Sequence, residues 1–134
     1  MRLSELIMDL SIKKINFSDP EIEGIAFDSR NVRENTLFIA LKGKKFDGND
    51  FIDSAVENGA AAVLTENDKI ETTITAVISS NIRRDTAIIT RRFYNKPDEK
   101  MCITGITGTN GKTTTSYLLK HIFSREAETG LIGT

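Results

Sequence analysis

The chain has 134 residues, with 18 lysines and arginines against 19 aspartates and glutamates, a formal charge of -1 that asks for neither nucleic acid nor a membrane surface. An apolar share of 39% and a charged share of 28% exclude extended disorder. The single cysteine, Cys102, excludes an intramolecular disulfide, and no apolar stretch is long enough for a secretory signal or a membrane span, so a cytoplasmic protein is the expectation.

Leu3, Leu6, Ile7 and Leu10 recur at helical spacing and predict a short opening helix. Ile22 to Phe27 reads as a strand ended by Asp28-Ser29-Arg30, and Leu37 to Leu41 is a continuous apolar run suited to a buried strand. Gly43 and Gly48 bracket a lysine-containing loop. From Asp50 to Asn58, Phe51, Ile52, Ala55 and Val56 share a helical face, and Asn58-Gly59 stops the helix. Ala61 to Thr65 and Ile74 to Ile78 are two further strand-like runs. Asn81 is placed to cap a helix through Tyr94, closed by Pro97. Strands alternating with helices predict an α/β layer architecture. The polar segment Asn95 to Lys100 reads as a hinge between domains. Beyond it, Met101 to Thr104 is expected to be a strand, Lys112 to Ser124 a helix, and Leu131-Ile132 the start of another strand. Cys102, Met101, Phe38, Phe51 and Phe93 read as core; His121, with no second ligand in view, reads as packing or surface.

The strongest chemical signal is Thr107-Gly108-Thr109-Asn110-Gly111-Lys112-Thr113-Thr114. Glycines let main-chain amides curl into one concavity, and a helix N-terminus adds free N–H groups and a positive dipole end. In such a loop Lys112 reaches the terminal phosphates and the Thr113 hydroxyl coordinates a phosphate-bound magnesium. The general pattern G-x-x-x-x-G-K-[ST] places a glycine where this chain has Ile106, with Gly108 inside the loop instead. An ordinary strand-to-helix turn is the alternative.

That variant, T-G-T-N-G-K-T-T, resembles the ATP loop of the Mur ligase family, and folylpolyglutamate and cyanophycin synthetases resemble it there too. The earlier residues narrow the choice. Phe27-Asp28-Ser29-Arg30, Thr36 to Gly43, Phe46-Asp47-Gly48 with Phe51, Asn58 to Val63, and Arg92 to Pro97 resemble the uridine-nucleotide domain of Mur ligases. The resemblance implies a small N-terminal α/β UDP-sugar-binding domain over 1–97. The first β-P-loop-α unit of a P-loop ATPase domain follows over 98–134 and is incomplete. Within the family, the D-S-R triplet and the loop look more like the member that adds the third amino acid to UDP-N-acetylmuramoyl-L-alanyl-D-glutamate than the one that adds D-alanyl-D-alanine.

By position the family implies that Phe27 and Ser29 contact the UDP-sugar, that Lys44, Lys45 and Phe46 lie at its uracil and ribose end, and that Gly108, Thr109, Asn110, Gly111, Lys112, Thr113 and Thr114 take the phosphates of ATP. Lys112 is the implied catalytic residue and Thr113 the implied Mg2+ ligand. The implied reaction is carboxylate phosphorylation by ATP, followed by attack of an amine on the acyl phosphate. The basic loop has a solvated surface as its alternative, and Asp28 with Arg30 has a structural turn pair as its own. The resemblance covers only the first third or so of such an enzyme, so the chain alone is expected not to catalyse ligation. An unpaired sheet edge near Met101 to Thr104 is also expected, open to self-association. The rival readings are a stand-alone UDP-sugar-binding module and a small P-loop kinase or GTPase.

Overall fold

The computed structural model describes residues 1–133, and it separates into two compact units, Met1–Glu99 and Lys100–Thr134. The first is an α/β unit. Its five strands are β1 (Ile12–Ile15), β2 (Gly24–Ala26), β3 (Thr36–Ile39), β4 (Ala60–Thr65) and β5 (Thr75–Ser79), in the spatial order β1-β5-β4-β3-β2. Strands β2 to β5 run parallel, and β1 is antiparallel to β5 along the edge.

Parallel strands in such a sheet must be covered on both faces, and the side-chain alternation does this. Leu37 and Ile39 of β3, Ala62 and Leu64 of β4 and Val77 of β5 face one layer. That layer is closed by α1 (Leu3–Leu6) and α3 (Ile82–Phe93), through Leu3, Leu6, Ile82 and Ile89. Phe38, Val63 and Ala76 face the other layer, closed by α2 (Ile52–Glu57) through Ile52 and Ala55. Between Thr36/Leu37 and their partners Ala60/Ala62 the register slips by one residue. A bulge of this kind puts two successive residues on one face, which explains why Ala60 joins the second layer while Ala61 and Ala62 both pack against the first.

Helices α3 and α4 (Lys112–Phe123) start where the sequence predicts, whereas α2 starts at Ile52, after a turn of 3-10 helix over Gly48–Phe51, and not at Asp50. The Asn81 side chain accepts from Arg84 N at 3.1 Å and satisfies one of the free amides at the start of α3. Arg92 on the same helix donates to the carbonyls of Leu6, at 2.9 Å, and of Met8, tying α3 to the opening helix. Gly48 is fixed by contact. A Cβ there would lie 2.7 Å from Leu41 N and O and 2.8 Å from Ala40 C, all immovable main chain.

Several expectations require correction. Strand β1 has no counterpart in the sequence reading. Its Ile-Lys-Lys-Ile is too short and too basic to signal, yet the lysines suit an exposed edge. Met101 to Thr104 and Leu131-Ile132 form no strand among the described residues, because an isolated extended segment has no ladder partner. Cys102 and Met101 are accordingly exposed, not core. Phe51 is also exposed, because it ends the turn of 3-10 helix ahead of α2 and packs edge-on against Phe46 instead of entering the core. Phe38 is buried as expected, and Phe93 packs against the first layer. In the second unit, α4 (Lys112–Phe123) carries Tyr117, Leu118, His121 and Ile122 on its solvent-exposed surface. Among the described residues no helix is long and apolar enough to cross a membrane.

The contact geometry at Gly48 yields a stability prediction. Gly48→Ala should destabilise the chain by about 2 kcal/mol, because the added methyl overpacks against main chain. Urea unfolding followed by far-UV circular dichroism measures this, and an unchanged midpoint would contradict the packing described.

Candidate functional site

In parallel strands the C-terminal ends gather at one edge, which is where ligands bind open α/β sheets. The segments after β2 and β3 leave from that edge on neighbouring strands, so the predicted residues Phe27 and Ser29 and the predicted residues Lys44, Lys45 and Phe46 belong to adjacent exits. Phe27 and Phe46 are 55% and 71% exposed, and both lysines are exposed as well. Ser29 differs. It is only 6% exposed, and its carbonyl accepts from Asn58 Nδ2 at 3.0 Å and from Val32 N at 3.2 Å.

The turn at Ser29–Asn31 is built by its neighbours. Asp28 Oδ1 accepts from Arg30 N at 3.0 Å, and the Arg30 guanidinium grips the same carboxylate through Nε at 2.9 Å and Nη2 at 2.6 Å. Asp28 and Arg30 are thus the turn pair that the sequence left as one of two options. The Arg30 side chain and amide hold the Asp28 carboxyl down to about 2.

The loop after β3 folds back on itself. Gly43 N donates to Phe46 O at 2.9 Å, Gly48 N donates to Leu41 O at 2.9 Å, and Lys42 Nζ lies 3.9 Å from Asp47 Oδ2. Lys44 and Lys45 therefore sit at the tip of a closed turn. The rings of Phe46 and Phe51 meet edge-to-face, 6.4 Å between centroids.

Sequence reading missed the side chains underneath this loop. Thr65, at the end of β4 and fully buried, donates its hydroxyl to Asn49 Oδ1 at 2.5 Å. Asn49 in turn donates to Asp47 Oδ1 from its side chain at 2.6 Å and from its amide at 3.0 Å. The signal available was Asp47-Gly48-Asn49, an arrangement in which an aspartate accepts from the amide two residues on.

In the second unit the loop Gly108 to Gly111 leads directly into α4. Gly108 has φ of 154° and Gly111 has φ of 75°, the second a left-handed conformation that admits glycine far more readily than other residues. The helix ladder begins with Thr115 N donating to Gly111 O at 2.9 Å, so the amides of Lys112, Thr113 and Thr114 lie ahead of it, unpaired within the helix. Lys112 Nζ turns back over the loop and donates to Gly108 O at 2.6 Å. Ammonium and free amides thus share one short stretch of chain, a donor set suited to an anion and without an acidic side chain. Among the described residues no group of three or more His, Cys, Asp or Glu is assembled to hold a metal, and the Thr113 hydroxyl is exposed, as are the side chains of Thr109, Asn110 and Thr114. A hollow of about 630 Å³ in the same unit lies past the other end of α4, lined by Ser124, Ala127, Glu128, Thr129 and Gly130, and is distinct from the loop.

The Asp28 carboxyl supplies a titration test. Its value in the folded chain, about 2, lies below the ordinary 3.8, so its contribution to stability is present above the ordinary value and is lost as pH falls through about 2. Carbon-detected NMR of the side-chain carboxyl should give a midpoint near 2 that returns toward 3.8 in Arg30→Ala. A wild-type midpoint at the ordinary value would contradict the turn geometry.

Comparison with known proteins places these features in a family. Residues 21–94 match the model described as Mur ligase family, catalytic domain, and residues 106–134 match the Mur ligase middle domain. A UDP-N-acetylmuramoyl-L-alanyl-D-glutamate--2,6-diaminopimelate ligase from Chlamydia caviae is 43% identical over 136 residues, an alignment that takes in 100% of this chain and 28% of the relative. The chain therefore spans little more than a quarter of that relative's length. Among solved structures, MurF from Acinetobacter baumannii superposes with a TM-score of 0.75 at 27% identity, over 92% of this chain and 27% of the other. MurF from Thermotoga maritima, crystallised in complex with ADP, gives a TM-score of 0.60 at 33% identity, over 76% of this chain and 23% of that one. The first family match alone takes in more than half of the 134 residues, and the chain belongs to the Mur ligase family.

Proposed function

We propose that this chain is part of an ATP-dependent ligase that adds the third amino acid, meso-diaminopimelate or L-lysine, to UDP-N-acetylmuramoyl-L-alanyl-D-glutamate in peptidoglycan synthesis. The observation that carries the reading is the loop at Gly108 to Thr114, where the Lys112 ammonium and three helix-start amides share one short stretch of chain. The name of the Chlamydia relative, similar along the whole of this chain, supports the choice of substrate, and the ADP in the Thermotoga structure supports the choice of nucleotide. Residues 1–97 are assigned to binding the UDP-precursor and 98–134 to the start of the ATP-binding domain.

A carboxylate is a poor electrophile because its leaving group would be oxide, and transfer of a phosphoryl group to it supplies a better one. The protein's share of that reaction is positioning and charge neutralisation. Lys112 would exchange the Gly108 carbonyl for the terminal phosphates of ATP, a trade of a neutral acceptor for an anionic one. The amides of Lys112, Thr113 and Thr114 would hold the phosphate oxygens at the positive end of α4, with Gly108 to Gly111 wrapping them. Magnesium, when bound, would neutralise phosphate charge, with the Thr113 hydroxyl as one of its ligands. In the first unit, Phe27 and Phe46 present exposed rings, Lys44 and Lys45 offer charge to the diphosphate, and Ser29 acts from its buried turn.

The second reading is binding of the UDP-precursor without catalysis, favoured by the closed loop at Lys42 to Asp47, which is complete within the first unit. Isothermal titration calorimetry with ATP and with UDP-N-acetylmuramoyl-L-alanyl-D-glutamate, each alone, separates the two: the ligase reading expects heat from both, the binding module from the precursor only. Lys112→Ala should weaken ATP binding by roughly ten- to a hundredfold, the worth of a charged hydrogen bond, and leave the precursor's affinity unchanged. Equal ATP affinity in the variant would remove Lys112 from its role. A coupled phosphate-release assay on the 134-residue chain should show no turnover. Turnover would mean that these residues suffice for catalysis.

A further inference from the structure

The side chains beneath the loop after β3 form a continuous line of hydrogen bonds. Asn67 N donates to Thr65 Oγ1 at 2.9 Å, Thr65 Oγ1 donates to Asn49 Oδ1 at 2.5 Å, and Asn49 Nδ2 donates to Asp47 Oδ1 at 2.6 Å. Thr65 is fully buried and fixed by the β4 ladder, so the line runs from a buried strand end to an exposed loop of the first unit. Its far end is Asp47, whose other oxygen lies near Lys42 Nζ and whose main chain follows Phe46 directly.

Nothing in the core requires a threonine at this point. The neighbouring inward positions of β4 are Val63 and Leu64, and valine has the same shape as threonine. The buried hydroxyl is therefore a cost that its two hydrogen bonds offset, and both bonds lead toward the exits of the sheet. The accepting bonds also hold the Asp47 carboxyl below its usual range, the amide of Asn49 foremost, which keeps it ionised and able to pair with Lys42.

We infer that Thr65 and Asn49 are positioning residues for the UDP-precursor, holding the turn of Lys44, Lys45 and Phe46 in its binding conformation through Asp47. The inference rests on the proposed assignment of those three residues to the precursor. A loop held in place before the ligand arrives does not have to be ordered on binding, so loss of the anchor appears as weaker affinity.

The test is calorimetric titration of the whole chain with UDP-N-acetylmuramoyl-L-alanyl-D-glutamate. Thr65→Val keeps the shape and removes the hydroxyl, and should weaken binding by about tenfold. Thr65→Ser keeps the hydroxyl and should restore wild-type affinity even though it loses a methyl group from the core, a pattern that a purely structural role would reverse. Asn49→Ala, at a half-buried position outside the core, provides the same break without touching β4. Hydrogen exchange of the Gly43 amide, which is bonded within the loop, should quicken in Thr65→Val and Asn49→Ala. Wild-type chain that binds, with Thr65→Val and Asn49→Ala binding equally well, overturns the inference alone. Serine binding as weakly as valine also overturns it. Wild-type chain that does not bind the precursor overturns the assignment of Lys44 to Phe46 and the inference with it.

Discussion

Burial of the parallel sheet on both faces is the constraint from which the rest of the first unit follows. Four parallel strands leave no face for water, so each must send alternate side chains into two separate apolar layers, as Leu37 and Ile39 do against Phe38. Parallel neighbours also cannot be joined by tight hairpins. Their connections must return across a face, which brings the strand exits to one edge and frees the segments leaving it from core packing. Phe27, the Lys42 to Asp47 loop and Asn67 all lie just beyond such exits. The exposure of their aromatic and charged side chains is then a consequence of topology. Binding can draw on those side chains without disturbing the core.

The second unit applies a different device to the same end. A helix start leaves amides without partners, and the two glycines let the preceding chain bend close to them. At Gly111, φ of 75° permits the turn that brings α4 in directly after the loop. Lys112 supplies the only charged side chain between Gly108 and Thr114 and lies against the Gly108 carbonyl. The second unit therefore presents donors carried by backbone geometry, whereas the first presents exposed side chains on a closed loop.

Much of this was legible in the residues themselves. The Leu37 to Leu41 run, the Asn81 cap and the Asn58-Gly59 stop are local signals, and local signals survive in the fold because backbone propensity and packing agree there. The loop at Gly108 was legible for the same reason, since glycine, lysine and a helix start follow one another in sequence. What escaped depended on distant partners. Ile12 to Ile15 becomes a strand because β5 offers it a ladder, and Met101 to Thr104 forms none because no ladder is at hand. The link from Thr65 to Asn49 spans 16 residues and unites a strand end with a turn. No periodicity announces it. Cys102 and Phe51 are apolar yet exposed, and apolar character alone does not fix burial.

On the proposed function, the C-terminal edge of the parallel sheet is the face that receives the UDP-precursor. A hollow of about 480 Å³ at the opposite edge, lined by Glu23, Gly24, Ile25, Asn31, Arg33, Glu34 and Thr36, is the natural competitor. Amide chemical-shift mapping of the labelled chain during titration with UDP-N-acetylmuramoyl-L-alanyl-D-glutamate decides between the two. The account predicts the largest shifts at Phe27 to Ser29 and Lys44 to Phe46; shifts concentrated at Glu23 to Ile25 and Arg33 to Thr36, with the first set unmoved, would contradict it.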